Sequence, residues 1–496
     1  MDQFLGGLLI ALQPSNLIYC FVGCVAGTLV GVLPGIGPTG ALALLLPATY
    51  HLNPISAIIM ICGISYGAMY GASTTCILVN VPGESASVVT CLDGYQMARK
   101  GRAGPALGIS ALGSFIAGTI SVMGVMFLAP TLSRAALTFD SPEYFSLMLM
   151  SLVIVTYLVR GSMVKALIMV ALGFMLGNVG MDMLNGRMRF TYGVPELRDG
   201  IGIVPFVVGL FGVSEVLEGF GTVLKKEVIA SKIRGYWPSR QDWKDSGGAI
   251  GRGTVLGFIM GIFPGISPMI PTFMSYAIEK RLSKHSEKFG TGVIEGVAAP
   301  ESCNNAAAIS SYVPLLSLGI PSNAFNAVLL GALMIYGLEP GPLLIKTNPD
   351  LFWGVVASMY VGNCMLLVLN LPMIPLWVKV LQVPERLLSV LILIICFLGS
   401  YSINNSMFDA VIAFAFGIFG YIIKRLDFEA PPLVLAFILG PLMEVAFRQS
   451  MIGSDGTLSV FVTRPISLVL LLVALGILIT AFIKKRTFAE AIEGEE

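Results

Sequence analysis

Gly31-Val32-Leu33-Pro34-Gly35-Ile36-Gly37-Pro38-Thr39-Gly40 stands inside a long apolar region, and Gly261-Ile262-Phe263-Pro264-Gly265-Ile266-Ser267-Pro268 repeats most of it 230 residues later. Proline removes a backbone donor and clashes with the preceding turn, while glycine admits positive φ. A helix entering either stretch is therefore predicted to break. Backbone facing lipid must satisfy its own hydrogen bonds, so such a break survives at membrane depth only inside protein or beside a water-filled cavity. One interruption is an ordinary kink; its recurrence points to a built feature.

The surroundings are a membrane protein's. The chain has 496 residues, 55% hydrophobic and 12% charged, with mean hydropathy +0.84, where a soluble domain carries roughly 25% charge. That excludes a water-soluble fold and intrinsic disorder. With 30 Lys and Arg against 29 Asp and Glu there is no basic excess for nucleic acid. The eight cysteines form no CxxC pair and, Cys91 apart, sit in apolar runs, so they read as small core residues. The first residues, MDQFLGGLLIALQP, lack the basic start of a secretory signal, so the first apolar segment is expected in the mature chain.

Apolar segments suited to crossing a bilayer cover 16–33, 103–130, 143–160, 163–180, 201–218, 248–263, 351–378, 387–400, 407–423, 431–447 and 465–483. Regions 41–90 and 269–336 are apolar but repeatedly broken. With the Lys484, Lys485, Arg486 cluster placed in the cytoplasm, all but seven of the 30 basic residues fall on that side: Arg134, Arg187, Arg189, Arg198, Lys346, Arg448 and Arg464 remain opposite. Two further landmarks repeat in order: Val79-Asn80-Val81-Pro82-Gly83 with Leu318-Gly319-Ile320-Pro321-Ser322, offset by 239, and Gly101–Pro105 with Leu338–Pro342. The first copy of the last pair falls on the basic side and the second on the basic-poor side, so the halves are expected to run in opposite directions. The expected fold is all-α, with about 11–12 transmembrane helices plus re-entrant hairpins in two inverted repeats. Its parts are a first repeat at 1–220, a cytoplasmic linker at 221–247, a second repeat at 248–430, and C-terminal spans with a cytoplasmic tail at 431–496.

Broken helices expose carbonyls at one half-helix end and N–H groups at the other. Carbonyls suit Na⁺ and N–H groups suit a carboxylate. The candidate cation site is Pro34, Gly35, Gly37 and Thr39 with Pro264, Gly265 and Ser267, joined by Glu301, a costly acid inside an apolar segment. The candidate anion site is the tip of a helical hairpin at Asn80, Val81, Pro82, Gly83 and Ser85, its counterpart at Gly319, Pro321, Ser322 and Asn323, and the adjacent Asn304 and Asn305 as polar wall. Glu84 beside an anion opposes it unless neutralised. Glu295 reads as solvated, as does the Asp93-Gly94-Tyr95 segment. No HExxH, GxSxG or Walker motif occurs, and only two histidines, His51 and His285. An intramembrane enzyme therefore lacks a nucleophile–base pair, and a passive scaffold does not account for buried polar tips.

The long motifs carry a resemblance. Asn80-Val81-Pro82-Gly83-Glu84-Ser85-Ala86-Ser87-Val88-Val89-Thr90, Asp93-Gly94-Tyr95-Gln96-Met97-Ala98, Gly290-Thr291-Gly292-Val293-Ile294-Glu295-Gly296-Val297-Ala298-Ala299-Pro300-Glu301 and Asn304-Asn305-Ala306-Ala307 resemble the large membrane subunit of tripartite tricarboxylate transporters, the TctA-type permeases. Ser322 departs from the glycine common at the second tip. The resemblance implies a bacterial inner-membrane permease without a cofactor, driven by Na⁺ or H⁺. It also implies a small four-helix TctB-like membrane subunit and a periplasmic TctC-like binding protein, with citrate and other di- and tricarboxylates as substrates. The expected function is inward movement of such an anion by alternating access.

Overall fold

The computed structural model describes residues 2–33, 36–158, 162–182, 184–219, 235–380, 383 and 385–493; Pro34, Gly35 and residues 221–234 of the expected linker lie outside these. In the first half the helices are α1 (Asp2–Ala11), α2 (Pro14–Gly31), α3 (Gly37–Leu45), α4 (Pro54–Val79), α5 (Val88–Arg99), α6 (Ala103–Ala136), α7 (Ser141–Leu158), α8 (Met163–Gly177), α9 (Ile203–Val207) and α10 (Ser214–Gly219). In the second they are α11 (Arg240–Ile262), α12 (Met269–Leu282), α13 (Glu295–Ser310), α14 (Tyr312–Leu318), α15 (Ala324–Ile335), α16 (Leu344–Thr347), α17 (Pro349–Asn370), α18 (Ile374–Val380), α19 (Glu385–Asn404), α20 (Met407–Arg425), α21 (Ala430–Gly453), α22 (Val460–Thr463) and α23 (Pro465–Glu493). One two-stranded antiparallel ribbon pairs Gly180 with Arg189 and Met181 with Met188. The protein is an all-α polytopic membrane protein. Among the described residues eight helices are long and apolar enough to cross a bilayer, and shorter apolar helices at Asp2–Ala11, Met163–Gly177, Ala324–Ile335 and Pro465–Thr480 accompany them.

The core rests on two glycine stripes. A Cβ added at Gly23, Gly27 or Gly31 would lie 2.3, 2.2 or 2.1 Å from the carbonyl oxygens of Met60, Ile64 and Ala68. At Gly253, Gly257 and Gly261 it would lie 2.4, 2.2 and 2.2 Å from those of Ala299, Cys303 and Ala307. The two triplets are 230 residues apart and their partners 239 apart, the same offsets as the sequence landmarks. Small residues at four-residue spacing let helices pack main chain to main chain, where Cα–H···O contacts add ~0.5–1 kcal/mol each. The contacts also fix direction: α2 and α4 advance together, as do α11 and α13. The chain must therefore return between each pair, and α3 and α12 do this.

The halves are inverted. Tyr66 of α4 lies against Tyr312, ring centroids 6.0 Å apart, while Ser73, further along α4, bonds Glu301 of α13 at 2.6 Å. Advancing on one helix means retreating on the other. α4 lies inside this arrangement, with 94% of its apolar window buried, whereas α19 has 22% buried and faces outward.

The anatomy of the breaks differs from expectation. The second Pro-Gly-Ile motif, Pro264–Ile266, is the tip of a helical hairpin, α11–α12, and α2–α3 is the matching hairpin of the first half. The Asn80–Ser85 stretch is a broken span. Asn80 ends α4 in the left-handed region (φ 59°) and Gly319 ends α14 the same way (φ 72°). The chain then doubles back until Gly83 packs on Ala72. α5 restarts in the direction of α4, because Thr90 shares Glu301 with Ser73 and Gly94 meets Ile77 four residues later. A proline–glycine pair marks an interruption but not whether the chain reverses after it.

Two sets of charged contacts tie loops to helices. Arg102 pairs with Asp242, which with Ser239 forms the capping box of α11, and Lys100 Nζ donates to the Thr291 carbonyl at 2.6 Å. In the other set Arg189 and Arg448 clasp Asp182 at 2.6 and 2.9 Å, Arg189 bonds Glu444 at 2.8 Å, and Arg464 bonds Glu143 at 2.6 Å.

Two outcomes are expected. Gly257→Leu cannot be accommodated against a backbone carbonyl and should cost several kcal/mol, above the ~1–3 of ordinary overpacking; detergent thermostability should fall sharply, while a leucine at Gly251, which has open space, leaves it unchanged. The Leu184 backbone N–H, with Arg448 and Arg189, holds the Asp182 carboxyl below the usual carboxylate range. Its contribution is complete above about pH 4 and is lost as pH falls through the lowered value. Amide protection around Gly180–Arg189 should therefore fall only in acid, and in D182N should already be low at neutral pH.

Candidate functional site

The two hairpin tips and the two breaks meet at one cavity of about 280 Å³. Gly37, Pro38 and Thr39 reach it from the first tip, Gly265, Ser267 and Pro268 from the second. Glu84, Ser85 and Ala86 line it from the first break, and Ser322, Asn323, Ala324 and Phe325 from the second. The pieces interlock: Gly265 N donates to the Ser322 carbonyl at 3.0 Å, and Gly37 packs against Glu84. The N-terminal ends of α3, α12 and α15 open on this space, and helix N-termini present free N–H groups and positive potential.

Hydroxyls dominate the polar lining: Thr39, Ser65, Ser85, Ser267, Ser311 and Ser322. Ser322 is fully buried and its Oγ has no hydrogen-bond partner among the described residues. Asn323 Oδ1 caps α15 by accepting from Asn326 N at 3.0 Å. Among the described lining residues there is no Lys or Arg, and two are acids, Glu84 and Glu215. Lys424 pairs with Glu215 and, at 2.9 Å, with Glu218.

Of the residues expected at the site, Gly37, Thr39, Gly265, Ser267, Ser85, Ser322 and Asn323 line the cavity. Pro34 and Gly35 lie outside the described residues. Asn80, Val81, Pro82, Gly83, Pro264, Gly319 and Pro321 shape the turns without lining it. Asn304 and Asn305 stand behind the wall. Asn304 Nδ2 donates to Glu84 Oε1 at 2.8 Å, and Asn305 Nδ2 donates to Ser114 Oγ at 2.7 Å. Glu301 is away from the cavity and buried. Its oxygens accept from Ser73 (2.6 Å), Thr90 (2.5 Å) and Ser110 (2.9 Å), which joins α4, α5 and α6 to α13.

Sequence reasoning missed several parts. Glu215 lies in the 201–218 segment, where an acid within an apolar run is a signal. Phe211, also lining, belongs to a π-helical stretch, Val208–Val213, between α9 and α10, a distortion frequent at functional sites. Ser65 and Ser311 carry no signal beyond their hydroxyls. Two acids expected in water are buried. Glu295 accepts from Ser283 Oγ at 3.1 Å and contacts His285 Nδ1 at 3.0 Å. Asp93 is fully enclosed and accepts from Gly290 N (3.0 Å), Gly292 N (2.7 Å), Val293 N (2.9 Å) and Tyr276 Oη (2.8 Å). It fixes the loop that leads into α13. Charge counting places such residues in water because it does not see the backbone donors that a distant loop supplies.

With the geometry in hand, comparison decides the family. The sequence model described as the Tripartite tricarboxylate transporter TctA family matches residues 17–435. The chain belongs to that family. It is also similar to a 52.8 kDa protein of Agrobacterium vitis from the TAR-I ttuC' 3' region, described as uncharacterized, with 49% identity over 473 residues, 95% of this chain and 94% of the relative. A second uncharacterized protein of the same organism, from the TAR-II ttuC' 3' region, is 48% identical over 227 residues, 46% of this chain and 94% of the relative. No solved structure matches. The family match covers both tips and both breaks of this TctA-family chain.

Asp93 gives a test of the support. Asp93→Ala strands buried N–H groups, each costing about 1–3 kcal/mol, so loop 283–294 should loosen. Limited tryptic cleavage at Lys284 and Lys288 should rise at least about tenfold, following the free-energy change.

Proposed function

We propose that this chain is the large permease subunit of a binding-protein-dependent secondary transporter that imports a di- or tricarboxylate of the citrate kind across the bacterial inner membrane, driven by an ion gradient. The observation that carries the reading is the convergence of both tips and both breaks on one small cavity, apolar for the most part and set with hydroxyls, in a chain of this family. The volume is at the low end for ligand sites, ~300–1,000 Å³, and suits a small metabolite. The anion is held by the free N–H groups at the start of α15, by Met269 N at the start of α12, and by Ser322, Ser85 and Asn323. An anion needs no arginine where several helix N-termini point at it.

Inverted halves supply alternating access. Each half contributes one tip and one break, so a shift of this unit against the surrounding helices opens the cavity to either side. The C-terminus faces the cytoplasm by the distribution of basic residues. A four-helix TctB-like subunit and a periplasmic TctC-like protein that delivers the anion complete the system. The coupling ion is Na⁺, drawn to oxygen atoms at the interrupted helices.

The test is uptake of labelled citrate into proteoliposomes holding this chain and its two partners. Uptake is expected only with an inward ion gradient, and Ser322→Ala should raise KM about tenfold, the loss of one hydrogen bond to a charged group, ~1.5 kcal/mol. No uptake of any di- or tricarboxylate by the assembled system would contradict the reading.

A further inference from the structure

Glu84 and Asn323 occupy matching positions 239 residues apart, each immediately before the helical segment that follows a break. They are used differently. Asn323 turns back to cap its own helix. The Glu84 side chain shares a capping box with Ser87 but also reaches across to α13, taking the Asn304 amide on Oε1 at 2.8 Å. Asn304 is 2% exposed, and its Oδ1 is buried without a partner. The orientation is forced: an amide oxygen facing a carboxylate repels it, so the nitrogen must face Glu84 and the oxygen is left over. A third oxygen, the Gly83 carbonyl, lies beside Gly37 at the first tip.

The wall of the cavity and the residues behind it thus carry several acceptor oxygens and, with Glu215 paired to Lys424, one uncompensated carboxylate, and no lysine or arginine is among the described lining residues. Hard oxygen donors with a single carboxylate suit a monovalent cation. Divalent and transition metals favour more carboxylates or nitrogen and sulfur ligands, and no group of three or more His, Cys, Asp or Glu is present among the described residues. Glu301 is not a rival, because three hydroxyls already occupy its oxygens.

We infer that Glu84 and Asn304 hold a Na⁺ ion against the anion cavity, and that this ion makes anion binding conditional. The inference rests on the carboxylate-permease reading for its consequence but not for the ion site. Without the ion, Glu84 repels a carboxylate. With it, the charge is cancelled and the cation lies between Glu84 and the substrate. Coupling then follows from electrostatics: Na⁺ binds at Glu84 first, the carboxylate binds well only after it, and each raises the other's affinity.

The test uses the purified full-length chain and begins with NaCl titrated against choline chloride in the absence of any carboxylate. Wild type should show Na⁺-dependent thermal stabilisation, with affinity lowered more than about tenfold in both Glu84→Gln and Asn304→Ala. Ser322→Ala, on the anion side, should keep the response. Citrate binding should require Na⁺ in wild type and become Na⁺-independent in Glu84→Gln. An unchanged Na⁺ response in both variants, or citrate binding by wild type that ignores Na⁺, overturns the proposal. A Na⁺ response lost in both variants with no citrate bound at any Na⁺ concentration supports the ion site and sinks the carboxylate reading instead.

Discussion

A methyl group placed on Gly27 would sit 2.2 Å from the carbonyl oxygen of Ile64, and one on Gly257 would sit 2.2 Å from that of Cys303. This contact of main chain with main chain, repeated along three helical turns in each half, holds α2 to α4 and α11 to α13. It also sets their shared direction, and with it the need for the chain to turn back between α2 and α4 and between α11 and α13. In lipid there is no hydrophobic drive between helices, so close approach and the dispersion it permits take over that role. The tips lie where the stripes end: Gly31 and Gly261 are the last glycines before each turn.

The interruption of a helix is costly in a membrane, and the protein uses that cost. Each break leaves polar backbone without partners inside the same helix, and inversion of the halves brings four such places together. The resulting cavity gathers helix N-terminal ends, which favour an anion, while one of its walls carries Glu84, which opposes one. These opposite tendencies are not an inconsistency. On the proposed reading they give a site whose preference depends on whether a cation is present. Glu301 and Asp93 play the opposite part: both are buried carboxylates with their oxygens occupied, one by three hydroxyls and the other by a loop's amides and a tyrosine. They join α4, α5 and α6 to α13 and fasten the α12–α13 loop to α5.

Much of this was legible in the residues. Pro34-Gly35 and Pro264-Gly265 announced interruptions, and the offsets of 230 and 239 announced two halves. The same offsets govern the glycine stripes, which a search for small residues at four-residue spacing would have found. Reversal was not legible: Gly-Pro chemistry is the same in a hairpin tip and in a broken span, and only the packing of Gly83 on Ala72 and of Gly94 on Ile77 separates them. The burial of Asp93 and Glu295 was hidden for another reason. Their partners come from residues 10 to 200 positions away, and no local pattern records that a loop with glycines at Gly290 and Gly292 will fold its amides around a distant acid. Glu215 was visible as an acid in an apolar run but not as a wall of the same cavity, since the π-helical turn that aims Phe211 there is a tertiary effect.

The most direct measurement is thiol labelling of single cysteines placed at Ser85 and at Ser322, on a background without the native cysteines, with and without citrate and Na⁺. One shared cavity predicts that both positions react when it is open and that both are protected together by the same ligand at the same concentration. Protection at one position with no change at the other, or different ligand concentrations for the two, would contradict the convergence of the two halves on a single site.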